Sequence, residues 1–320
     1  VRSHQLNNSN INKNKTNKDN TTNMMSASSR RLVVLSRCLI PVGAPPLSAG
    51  SRVGALRASG TASGLRNMQR VELKGGQQLH VVTSGDIGAG VPVLCLCGAM
   101  GTAETDFAAQ LDGLSHRHGV VSFDPRGYGQ SRPPKRSYPN NFYHIDADDA
   151  AGVIEALGCK SCYVIGWSDG AISATILAAK RPDLVKKLVV FGIQGFITKE
   201  DVDAYEGFRE VEFAWSKRML ATHRAVYGDD VQPMWSSFCD AMKNLYDAGG
   251  DFCQKEAQSI TCPTLIMHGE IDALVPSHHP QWFHDNIPGS KLHTFPGGKH
   301  NIHQKFSEEF NQKCLDFFSE

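Results

Sequence analysis

The chain has 320 residues, 41% of them hydrophobic and 20% charged, with a formal net charge of +1. Near-neutrality, with no clustered Lys/Arg stripe in the part rich enough in apolar residues to fold, excludes a nucleic-acid partner held by phosphate contacts. No stretch reaches the ~20 consecutive apolar residues of a membrane-spanning helix, so no membrane insertion is expected.

The first third of the chain opens on a segment of different composition. Asn7 to Asn23, "NNSNINKNKTNKDNTTN", is a low-complexity run with almost nothing to bury. The sequence begins at Val1, and Met24 or Met25 is the expected initiator. Residues 25–66 then carry Arg30, Arg31, Arg37, Arg52, Arg57 and Arg66 among Ser, Ala, Leu and Gly, without Asp or Glu. That composition reads as a mitochondrial presequence, with a merely disordered basic tail as the plain alternative. Residues 1–66 are therefore read as a leader, outside the fold.

From Asn67 onward the pattern is that of one α/β domain. "RVELKGGQQLHVVTSG" gives two alternating runs about Gly75-Gly76, a hairpin signal. Short continuous apolar runs follow at Val91–Gly98, Gly119–Asp124, Cys162–Trp167, Leu184–Gly192, Cys262–Gly269 and Lys291–Gly297. Between them lie helical patterns at Asp146–Leu157, Ala171–Lys180 and Ser277–Ile287. Buried strands alternating with helices predict a mostly parallel, doubly wound sheet covered on both faces. The expected division is a core in two parts, 67–194 and 260–320, with an inserted helical lid at 195–259. The lid interleaves Tyr205, Phe208, Phe213, Trp215, Tyr227, Trp235, Phe238 and Tyr246 with charges. Most of these aromatics are expected in the lid's own core and one or two against a ligand. "GDIGAG", Gly85 to Gly90, lacks nucleotide-loop spacing and reads as a surface turn.

The chemistry concentrates in "GWSDG". Gly166-Trp167-Ser168-Asp169-Gly170 runs from a strand through a tight turn into a helix, the context that makes G-x-S-x-G a nucleophile elbow. Both glycines are expected to be sterically required. A serine nucleophile needs a base, and the base an orienting acid, in the chain order Ser, acid, His. "HGEIDALVP" offers Glu270 and Asp272, with Asp272 favoured because the bend carries it away from the sheet edge, and Glu270 as a turn residue. "FPGGKHNIH" offers His300 at the end of the last strand, with His303 expected to pack or cap in the terminal helix. His278 and His279 read as solvated. Whether Asp272 or Glu270 reaches His300 is left open by spacing.

An oxyanion hole takes two backbone N–H groups aimed at the developing charge. One belongs to Asp169, after the nucleophile; the other to the "CGAMG" loop, where Ala99 is the first candidate and Met100 the second. The nine cysteines are expected to be reduced and buried rather than metal-bound, and no H-E-x-x-H is present. Neither a metal nor a cofactor is expected.

Taken together, "GWSDG", "DPRGYGQSRPP", "GAMGTAETDF", "HGEIDALVP" and "GGKHNIH" resemble the valacyclovir hydrolases, or biphenyl hydrolase-like proteins, of the α/β-hydrolase superfamily, from about Arg70 to the C-terminus. Two positions depart from that pattern: Cys97, where many relatives of the fold carry His, and Ala171, where a second glycine is usual. The resemblance implies a mitochondrial serine hydrolase preferring α-amino acid esters, with Ser168, Asp272 and His300 as the triad. It also implies that Asp169 holds the substrate ammonium. A carboxylate beside a nucleophile opposes the oxyanion unless a bound cation cancels it; the plainer role for Asp169 is to cap its helix. The expected partner is a small-molecule ester substrate, and the protein is expected to be a monomer. Three alternatives stand beside this reading: a general carboxylesterase, a hydrolase of carbon–carbon bonds, and a ligand receptor without chemistry.

Overall fold

The computed structural model describes residues 66–320. The Asn7–Asn23 run, the initiator and the expected presequence lie outside the described residues, apart from Arg66.

Eight strands form one sheet in the order β1-β2-β4-β3-β5-β6-β7-β8. They are β1(Asn67–Glu72), β2(Gln78–Ser84), β3(Val93–Leu96), β4(Val120–Phe123), β5(Cys162–Trp167), β6(Val185–Phe191), β7(Thr264–Gly269) and β8(Lys291–Phe295). The β1/β2 hairpin turns at Gly75 and Gly76, both at positive φ, and pairs antiparallel internally and onto β4. All other pairings are parallel. The sheet is thus doubly wound and mostly parallel, as its unbroken apolar runs predict: β3, β4 and β7 are buried at every residue.

Helix α1(Ala103–Gly113) follows β3, α2(Phe142–Ala156) follows β4 and α3(Asp169–Lys180) follows β5. Helix α9(His278–Asn286) joins β7 to β8, and α10(Ile302–Lys305) and α11(Ser307–Ser319) close the chain. Alternate strand residues feed two cores. Leu94, Val164 and Val190 pack with Ile154 and Ile176 of α2 and α3. Cys95, Ile165 and Val189 pack with Phe107 of α1 and with Phe310 and Phe317 of α11. Removing each such side chain from water contributes about 1.5–3 kcal/mol.

Helix α1 has no clear apolar periodicity in sequence. It starts because Thr102 caps it, accepting from Thr105 N–H while the Thr105 side chain returns a bond to the Thr102 backbone. Arg66, assigned to the leader by composition, bonds the Ala108 carbonyl at 3.0 Å and Asp112 at 2.7 Å on this helix. The ordered fold therefore takes in Arg66, and its ion pairs are what composition could not reveal.

Between β6 and β7 the chain leaves the sheet for α4(Lys199–Gly207), α5(Val211–Ala214), α6(Lys217–Tyr227), a 3-10 turn at Gly228–Asp230, α7(Val231–Asp247) and α8(Gln254–Ala257). Among the described residues no helix is long and apolar enough to cross a membrane. The eight described cysteines are all free, six of them buried. Gly85–Gly90 is a loop between β2 and β3 whose Asp86 accepts the Gly88 N–H.

Candidate active site

In this strand order β3 lies between β4 and β5, so the connection leaving β3 for β4 and the one leaving β5 for β6 run outward in opposite directions. The carboxyl ends of β3 and β5 flank the crevice that results, the usual ligand position in open α/β sheets. Two loops meet there, Gly98–Gly101 after β3 and Ser168 after β5.

Ser168 has φ 54° and ψ −121°, a strained conformation for a residue with a side chain. The turn is held by the Ser168 N–H donating to the Phe191 carbonyl at 3.1 Å and by its own carbonyl accepting Ala171 N–H at 2.9 Å. Its flanking glycines are steric necessities. A Cβ at Gly166 would lie 2.6 Å from the Gly170 carbonyl oxygen, and one at Gly170 would lie 2.1 Å from that of Leu96. The elbow thereby projects the Ser168 hydroxyl into a cavity that His300 and Asp169 also line. Ala171 is fully buried and does not line that cavity, so its methyl group leaves the cavity unchanged.

His300 follows β8, and its Nδ1 lies 2.8 Å from Asp272 Oδ2. The other oxygen, Oδ1, accepts the N–H groups of Leu274 at 2.9 Å and Val275 at 3.1 Å, which fixes the carboxylate's orientation. Burial alone would raise the Asp272 pKa, but the His300 ring beside it and these hydrogen bonds outweigh burial and hold it below the usual carboxylate value. Glu270 is exposed and accepts the Gly297 N–H at 2.8 Å, a turn contact. Of the two acids that spacing left open, Asp272 is the one against His300. The imidazole is further placed by Trp167, whose indole N–H donates to the His300 carbonyl at 3.1 Å. Gly192, at φ 56°, completes the fit: a Cβ there would lie 2.8 Å from His300 Cε1.

Ala99 and Asp169 present backbone N–H groups without an acceptor among the described residues. Asp169 is the first residue of α3, whose first-turn amides have no intrahelical partner. The Ala99 loop is braced by a carboxylate: Asp106 Oδ2 accepts Gly98 N–H at 3.0 Å, and its Oδ1 accepts the Thr105 hydroxyl at 2.9 Å. Gly101 is needed because a Cβ there would sit 1.8 Å from Asp106 Oδ2. Cys97 is buried, with its Sγ 3.5 Å from the Phe123 carbonyl; burial pushes its thiol well above the usual range, so it stays protonated and inert.

The Asp169 side chain borders the same cavity. It accepts one hydrogen bond, from the Tyr143 hydroxyl at 3.2 Å, and none from the amides of its helix's first turn, so it does not cap α3 in the usual way. The guanidinium that influences it, Arg136, is bound bidentately by Asp146 at 2.7 and 2.6 Å. Burial raises Asp169 to about 7, against the lowering effects of Arg136 and the Tyr143 hydrogen bond. A carboxylate raised in the folded state binds a proton there that the unfolded chain releases near pH 4, so this group lowers stability as pH climbs from about 4 to 7. Asp169→Asn is therefore expected to raise the melting temperature at pH 8 by about 2–4 °C per kcal/mol recovered, with little effect at pH 4. Scanning calorimetry of both proteins at the two pH values checks this; a lowered melting temperature at pH 8 counts against a destabilising buried carboxylate.

The cavity and the open space at its mouth together span about 1020 Å³. Five of the interval's aromatics, Tyr205, Trp215, Trp235, Phe238 and Phe252, line its apolar wall, more than the one or two expected. They pack on one another as they do so, Trp215 edge-on to Trp235 at 5.0 Å and Trp235 stacked on Phe238 at 5.2 Å, so core packing and cavity lining are one role. His303 is buried, its Nε2 3.0 Å from the Asp106 carbonyl, and burial lowers it to about 3. It is a neutral packing residue. His279, expected in solvent, is instead buried with its ring 4.5 Å from that of Phe196; its place in the first turn of α9, facing inward, corrects that reading. Tyr143 and Asp106 carried no local signal, because each acts on a residue supplied by a different element, and Trp167, within the GWSDG motif, gave no sign of its bond to His300.

A model of the α/β hydrolase fold matches residues 91–305. Serine hydrolase BPHL of Homo sapiens is 42% identical over 247 residues, 76% of this chain and 83% of that protein. Its counterpart in Mus musculus is 41% identical over 230 residues, 70% of this chain and 78% of that protein. Among solved structures, 2-hydroxy-6-oxo-6-phenylhexa-2,4-dienoate hydrolase from a Rhodococcus strain superposes with a TM-score of 0.67 at 16% identity, covering 80% of this chain and 100% of that one. This last likeness concerns the fold.

Proposed function

The chain belongs to the α/β-hydrolase family, alongside the serine hydrolase BPHL proteins, and from that membership we propose that it hydrolyses esters of α-amino acids through Ser168, His300 and Asp272. His300, oriented by Asp272, takes the Ser168 proton as Oγ bonds to the ester carbon, and the carbonyl oxygen becomes an oxyanion between the Ala99 and Asp169 N–H groups. Collapse of that intermediate breaks the ester C–O bond, and His300 returns the proton to the leaving alcohol. Water then repeats the sequence on the acyl-enzyme and releases the amino acid.

The observation that carries the amino-acid preference is the Asp169 carboxylate, set at the cavity next to the nucleophile with its nearest guanidinium already paired to Asp146. A substrate α-ammonium fills that place and cancels the charge that opposes the oxyanion. A hydrogen bond between charged partners contributes about 1.5–3 kcal/mol, or about ten- to a hundredfold in rate. Phenylalanine benzyl ester is therefore expected to exceed its N-acetyl twin by that factor in kcat/KM, and Asp169→Asn to erase the difference. Equal turnover of both esters by the wild-type chain would make this a general esterase. A dienoate substrate, as named for the Rhodococcus enzyme, is an anion and meets repulsion at Asp169, which disfavours carbon–carbon cleavage.

A further inference from the structure

Tyr227 is the last residue of α6 and is buried, yet it does not line the cavity. Its hydroxyl donates to the Met100 carbonyl at 2.8 Å and accepts the Gly129 N–H at 3.2 Å. Both partners belong to the sheet domain, whereas α6 belongs to the interval between β6 and β7. Met100 follows Ala99 in the loop after β3. It has φ 56°, and the described residues contain one other non-glycine at positive φ, Ser168 itself. A left-handed methionine persists only where its surroundings fix it, and Tyr227 holds the carbonyl of this one.

The rest of the junction ties the same segment down without touching the loop. Arg132 lies over the Tyr227 ring at 4.9 Å and donates to the Val226 carbonyl at 3.1 Å and the Gly129 carbonyl at 3.0 Å. Burial raises the Tyr227 phenol far above the working range, so it remains a donor at every pH of interest.

We propose that Tyr227 is a positioning residue for the oxyanion hole: by holding the Met100 carbonyl it keeps the Ala99 N–H aimed at the developing oxyanion. This rests on the assignment of Ala99 and Ser168 under the proposed function. The phenol touches neither substrate nor nucleophile. Its effect is confined to the transition state, where alone the oxyanion exists.

The test uses the full chain and three readouts: kcat and KM for phenylalanine benzyl ester, the inhibition constant of phenylalaninol, which carries the ammonium but has no carbonyl, and the affinity of a benzylboronic acid that forms the tetrahedral adduct. Removing one oxyanion donor outright costs roughly 10²–10³ in kcat. Tyr227→Phe leaves the donor present but poorly aimed, and is expected to lower kcat and boronate affinity together by about ten- to a hundredfold, with KM and phenylalaninol inhibition within about threefold of wild type. Arg132→Met, which strips the guanidinium from the same junction and leaves the phenol, is expected to keep kcat within about threefold. Wild-type kcat in Tyr227→Phe, or a parallel loss of phenylalaninol binding, overturns the proposal, as does a drop in Arg132→Met as large as that in Tyr227→Phe. Should the wild-type chain not turn over the amino ester, the proposed substrate class fails separately, and the same comparison is read with p-nitrophenyl acetate.

Discussion

Ser168→Ala is expected to lower kcat for phenylalanine benzyl ester by about five to six orders of magnitude, the scale on which removal of a serine nucleophile acts when base and acid remain. The substitution is clean in this fold. Alanine keeps the Cβ that already occupies the positive-φ turn, so it adds no strain to a backbone fixed by the Phe191 carbonyl and the Ala171 N–H. What disappears is the hydroxyl oxygen proposed to form the acyl-enzyme. The carboxylate of Asp169 and the aromatic wall of Tyr205, Trp215 and Trp235 stay in place, so KM is expected to change by no more than about threefold. Labelling by a fluorophosphonate, which needs the hydroxyl, should vanish altogether. The ligand-receptor reading predicts something else: wild-type protein that neither turns over ester nor labels, and no difference on substitution. A residual wild-type rate in Ser168→Ala would place the nucleophile elsewhere in the cavity.

Much of this site was legible because its determinants are local. The Gly166 constraint comes from Gly170, Ala171 and Ala174 of the elbow's own helix, and the Gly170 constraint from the neighbouring β3 at Leu96; both leave a glycine within one five-residue stretch of sequence. The sheet was legible for a similar reason: strands buried on both faces are continuous apolar runs. Helix α1 was not, since "AETDFAAQLDG" starts by capping at Thr102 and kinks at Phe107 rather than declaring itself by periodicity. The acid was legible only to within two residues, because Glu270 and Asp272 share one bend and the Leu274 and Val275 amides that orient the second are set by the fold. The bracing groups left no trace. Tyr227 and Met100 are 127 positions apart, and Trp167 and His300 are 133 apart. His279 was misread because a polar residue in an amphipathic helix looks solvated until the facing surface, here Phe196, is known.

The acid itself can be separated from its neighbour by a second large effect. Asp272→Asn is expected to lower kcat by about 10⁴-fold, and Glu270→Gln to leave it within about threefold. The reason lies in the hydrogen bonds of the carboxylate. Its Oδ1 accepts two backbone N–H groups, from Leu274 and Val275, so an asparagine must keep its carbonyl oxygen on that side and turn its NH₂ toward His300. The imidazole Nδ1 can then only accept, which forces its proton onto Nε2 and removes the lone pair that Ser168 needs. The fold survives and the base is lost. Glu270 differs in kind: a glutamine keeps the oxygen that accepts Gly297 N–H and changes nothing at the imidazole. Since Asp272 sits below the usual carboxylate value, its contribution to stability is present above that value and is lost as pH falls through its folded pKa. Asp272→Asn should accordingly melt below wild type at pH 7, with the gap narrowing toward acid. Steady-state rates and melting curves of the two variants measured side by side decide the assignment, and a 10⁴-fold loss in Glu270→Gln with a near-normal Asp272→Asn would transfer the role to Glu270.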